Sequence, residues 1–85
     1  MKKETFIKAT IVNEQIEQID KFIYQMERVN NKALIAPTIT LDCETKAGTN
    51  VNSEIDLASM PELSREITEI LKRKMDEKLK EMSDL

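Results

Sequence analysis

The sequence predicts a small α+β domain in the order βαββα, with both helices on one face of a short, antiparallel-containing sheet. Three observations carry the prediction. Apolar and polar residues alternate with period two from Thr38 to Leu57, and two segments flanking that stretch, Asn13 to Asn30 and Met60 to Asp84, carry apolar residues at helical spacing. No repeat, low-complexity tract or Gly/Pro/Ser-rich linker divides the chain, so residues 1–85 read as a single domain.

Thr5 to Val12 is rich in β-branched residues, and Ile7, Ala9 and Ile11 alternate with Lys8 and Thr10, which favours a first strand. The alternative is αββα with an N-terminal helix over 4–30, because Thr5, Ala9 and Val12 also extend the next helix's stripe backwards. The strand is preferred, since a two-stranded hairpin alone is a poor platform for two helices. From Asn13 onward Ile16, Ile19, Ile23 and Met26 recur in steps of three and four, widened by Phe22 and Val29. Asn13 reads as the N-cap, and Asn30-Asn31 as a left-handed exit.

The hairpin follows Pro37. In the register read from the alternation, Ile39 faces Leu57, Leu41 faces Ile55, Cys43 faces Ser53 and Thr45 faces Val51. The opposite face then carries Thr40, Asp42, Glu44, Asn52, Glu54 and Asp56, and Asp42 lies directly across from Glu54. The Lys46-Ala47-Gly48-Thr49-Asn50 loop places the single glycine where a positive φ is needed. The last helix opens on a capping box, Ser59 to Glu62, with Pro61 in its first turn. Leu63, Ile67, Ile70, Leu71, Met75, Leu79 and Met82 form its stripe, and Glu69–Arg73 and Asp76–Lys80 are helix-supporting pairs.

At 1.5 Å per residue the first helix is about 27 Å long and the last about 37 Å, so the last overhangs by about 10 Å. Met75, Leu79, Met82 and Leu85 are then left with little cover, and Ile70, Met75, Leu79 and Met82 are the expected oligomer interface. A small domain also needs a staple. With one cysteine and no histidine, neither a disulfide nor a common zinc site is available, and self-association is the remaining remedy.

Composition bounds the function. The net charge is −3, from 13 basic and 16 acidic residues, which argues against a phosphate-gripping protein. No run approaches the ~20 apolar residues of a membrane span, no signal-peptide pattern opens the chain, and the lone cysteine suits a reducing compartment. A cytoplasmic protein without a membrane, metal or cofactor is expected. Cys43 has no histidine to activate it and two acidic neighbours, so it reads as a small core residue rather than a nucleophile. The carboxylates lack material for a walled cleft, and no enzymatic activity is expected.

The expectation is therefore a non-enzymatic regulatory or interaction protein, a homodimer or higher oligomer. It binds another protein through the acidic residues Asp42, Glu44, Glu54 and Asp56 or through the C-terminal helix. Two alternatives stand beside it: a nucleic-acid-associated oligomer that gathers the Lys72 to Lys80 segments into one basic surface, and a small-ligand site at a subunit interface.

Overall fold

The computed structural model describes residues 2–85, and the order of elements is αββα. Helix α1 spans Lys3–Asn30, strand β1 Thr38–Glu44, strand β2 Asn50–Asp56 and helix α2 Pro61–Ser83. The α+β class stands, and the alternative order is the one realised. The preferred first strand is corrected: Thr5 to Val12 is the opening of α1, and Asn13 is an interior residue rather than a cap.

Packing explains the correction. Thr5, Ala9, Val12, Ile16, Ile19, Ile23 and Met26 follow one another in steps of four and three, the seam of a coiled coil. Val12 and Met26 on that seam are each only 2% exposed. Burying an apolar stripe along a whole helix outweighs strand preferences that span only about 1 kcal/mol per residue. The hydroxyl of Thr10 donates to the Phe6 carbonyl at 3.0 Å, which satisfies that β-branched residue within the helix.

Helix α1 is thus about 42 Å long and α2 about 34 Å. The expected overhang of the last helix is overturned: α1 is the longer, and its N-terminal half lies along the C-terminal half of α2, where Met75 and Met82 are half-buried. Helix packs on helix and strand on strand, but neither helix packs on the hairpin. The expected arrangement of two helices on a sheet face is therefore also corrected. Principal extents of 47 × 38 × 16 Å describe a flat body one layer thick, its second dimension too wide for two helices alone. The hairpin extends away from the helical rod.

The exit from α1 has an unusual residue. The amide of Ala33 donates to the Arg28 carbonyl at 2.9 Å and that of Lys32 to Val29 at 3.0 Å, the paired bonds of a Schellman motif. Its left-handed position is Lys32, with φ of 58°, one residue beyond the expected Asn31. A side chain there costs about 1–2 kcal/mol, offset in part for glycine by its greater unfolded-state freedom. Lys32→Gly is expected to raise stability by about 0.5–1 kcal/mol, seen as a melting temperature higher by several degrees. Ala36, with φ of 49°, is the second left-handed residue of this loop. Between them Ile35 is 99% exposed.

The start of α2 also differs from expectation. Met60 holds the N-cap position with no side-chain cap, and the Ser59 hydroxyl instead donates to the Asp56 carbonyl at 3.1 Å. Asp56 is occupied by the approaching backbone, accepting from the Ala58 amide at 2.9 Å, which closes an Asx-type turn before the capping box can form. Pro61 sits in the first turn as expected.

Between the helices lies a polar layer. The Ser64 hydroxyl donates to Asn30 Oδ1 at 2.5 Å, Asn30 Nδ2 donates to Thr68 Oγ1 at 3.0 Å, and Thr68 Oγ1 donates to the Ser64 carbonyl at 2.9 Å. Ser64 and Thr68 are buried, and no buried side-chain polar atom among the described residues lacks a partner. Since only one alignment of the helices completes this set, the layer specifies their register.

Candidate functional site

The candidate site is the face of the hairpin that carries carboxylates. Its turn is tighter than the alternation alone indicates. The Thr45 amide donates to the Thr49 carbonyl at 2.8 Å and the Gly48 amide to the Thr45 carbonyl at 2.9 Å, closing a three-residue loop. Gly48 has φ of 88°, as expected of the single glycine; an added Cβ would meet only ordinary contact with Glu44 Oε1 at 3.7 Å, so conformation rather than space requires it.

This turn sets the register. Ile39 pairs with Ile55, Leu41 with Ser53 and Cys43 with Val51, each two residues from the expected partner. A shift of two keeps every side chain on its face, so the division into an acidic side and a more apolar side survives. The predicted confrontation of Asp42 with Glu54 does not. Asp42 faces Asn52, Glu54 faces Thr40, Glu44 faces Asn50 and Asp56 faces Thr38. Each carboxylate thus lies across from a neutral polar residue, which relieves the repulsion that directly opposed like charges would bring.

Asp42, Glu44, Glu54 and Asp56 are brought together on one exposed face. Straight strands hold them in rows rather than around a point, and no group of metal-ligating side chains occurs among the described residues. Cys43 lies on the other face and is exposed; the expectation of a core residue is corrected, because no helix covers that side.

The predicted interface on α2 is divided. Ile70 and Leu79 are exposed, but Met75 and Met82 are half-buried on the α1 side of the helix. The Lys72 to Lys80 segment is interleaved with partners: Lys72 meets Glu27 of α1 at 3.0 Å, Lys74 meets Glu77 at 3.1 Å and Lys78 meets Glu81 at 3.4 Å. The expected pairs Glu69–Arg73 and Asp76–Lys80 are not among the ion pairs of the described residues.

One feature has no counterpart in the sequence reading. Where rod and hairpin meet, Val29, Lys32, Leu34, Pro37, Leu57 and Arg65 line an open cavity of 530 Å³. Leu57 is only 2% exposed, which places the third buried apolar side chain at this elbow. The residues come from three separate stretches of chain, 29–37, 57–58 and 61–65, so no local pattern could announce them. No helix among the described residues is long and apolar enough to cross a membrane. Comparison with family models, curated proteins and solved structures finds no match to this chain.

Proposed function

We propose that the chain is a non-enzymatic interaction protein that works as a homo-oligomer and offers its acidic hairpin face to a basic surface on another protein. The observation that carries this reading is the hairpin itself, which extends clear of the helices with four carboxylates on one exposed side. Such a surface steers an oppositely charged partner and sets its register. An open strand face has no walls to exclude water or separate the properties of two acids, which supports binding over catalysis.

The nucleic-acid reading is weakened by geometry. Lys72, Lys74 and Lys78 each have a carboxylate within ion-pair distance, so the basic stretch offers little uncompensated charge to phosphates.

The decisive experiment is affinity capture from the source cell with the native chain and with an Asp42→Asn/Glu44→Gln/Glu54→Gln variant. Asp56 is left intact because it holds the turn at Ala58. The variant is expected to melt at the same temperature or slightly higher and to lose at least tenfold of a captured partner, whose retention on the native chain falls with added salt. Equal recovery with both chains removes the acidic face from the reading.

A further inference from the structure

The two broad sides of the helical rod differ. The Glu27–Lys72 ion pair marks one of them, with Phe6 and Leu79 on the same side. At about 100° per residue, the opposite flank of α1 runs through Ile7, Ile11, Gln15, Gln18, Phe22 and Gln25 without an ionisable residue. In a chain that is 34% charged, an uncharged strip this long on an outer helix surface is a marked departure. The neighbouring flank of α2 adds Ile67 and Ile70; a groove in which Ile7, Ile11 and Gln15 share walls with Lys78 and Glu81 shows that the two flanks face the same way, and its charged rim, completed by Glu4 and Lys8, lies at the α1 N-terminal end of the strip. Ile7 is 48% exposed, Ile11 50%, Phe22 44% and Ile70 46%.

Shape and area say what is missing. A stable domain buries its apolar faces between at least two layers, and this body is one layer, 16 Å thick. Its radius of gyration is 16.2 Å, against about 12 Å for a compact chain of this length. Its accessible surface is 6878 Å², against roughly 5,200 Å² for a compact monomer of this mass. The excess over the whole body, roughly 1,700 Å² with the projecting hairpin included, leaves room for the ~800 Å² that each partner contributes to a standard interface.

We infer that a second copy of the chain covers this side, helix layer on helix layer, forming a two-fold four-helix bundle with Phe22 and Ile70 in its new core. The inference rests on the reading of the chain as a homo-oligomer and adds the surface that it uses. The Glu27–Lys72 side then faces solvent, the Lys78–Glu81 pair borders the covered groove, and both hairpins project from the bundle with their acidic faces free.

Sedimentation equilibrium of the full chain at micromolar concentration tests this. The native protein is expected at twice 9.8 kDa. Phe22→Ala/Ile70→Ala, which keeps strong helix formers at both places, is expected to raise the dimer dissociation constant at least tenfold, and Phe22→Lys/Ile70→Lys to abolish the dimer. Phe6→Lys/Leu79→Lys on the other side is expected to leave it intact. Should the lysine pair fail to fold, the alanine pair decides, with circular dichroism at high concentration confirming its helices. A native monomer overturns both the inference and the oligomeric reading. A dimer that survives the Phe22/Ile70 variants but is lost with the Phe6/Leu79 variant overturns the inference alone.

Discussion

Met26→Ala is expected to lower the free energy of unfolding by about 2–4 kcal/mol, the cost of removing a buried side chain and leaving a cavity behind it. Met26 is 2% exposed in the α1–α2 seam, and only Val12 and Leu57 join it as buried apolar residues among those described. A chain of this length has on the order of 4–13 kcal/mol to lose, so one truncation removes a large share. The check is the midpoint of urea unfolding followed by circular dichroism at fixed protein concentration, because dimerisation makes the midpoint concentration-dependent. Met26→Leu, close in volume, should cost less than about 1.5 kcal/mol. Equal effects from the two substitutions would show that the seam is not closely packed at this point.

The second large effect is expected at the polar layer. Asn30→Ala removes the acceptor of the Ser64 hydroxyl and the donor to Thr68. Ser64 is 1% exposed, so its hydroxyl is left without a partner at a cost of about 1–3 kcal/mol. Ser64→Ala removes the stranded donor instead, and the double variant should be less destabilised than the sum of the two single ones. Denaturant melts of the four proteins in this cycle measure the coupling; additive effects would mean that the layer is not a connected unit. Replacing all three residues with apolar ones should preserve or increase stability while loosening the alignment of the helices, visible as mixed oligomer masses in sedimentation.

The polar layer also shows where a sequence reading loses resolution. The stripe read on α2 runs through Leu63, Ile67 and Ile70, whereas Ser64 and Thr68, one turn apart, are the buried pair. Apolar periodicity cannot find a buried hydroxyl, since burial of a polar group depends on its partner, and the partner here lies 34 residues away in Asn30. A usable signal existed: Asn30 continues the four-three spacing of Thr5 to Met26, which places a polar residue on the seam. The acidic site was more legible. Its four carboxylates share a face because alternation along a strand is local, and the structure keeps them there.

Local chemistry was enough to determine the hairpin, its two faces, the left-handed glycine at its turn, and the long C-terminal helix with Pro61 in the first turn. Each depends on relations between residues a few positions apart, so the chain alone specifies them. Tertiary packing decided the rest. Residues 5–12 became helix because burial against α2 exceeds their modest strand preference, and α1 rather than α2 became the longer rod. The strand register alone was decided by neither pattern nor packing: a shift of two residues leaves both faces unchanged, and the hydrogen bonds of the Thr45–Thr49 turn chose it and separated Asp42 from Glu54.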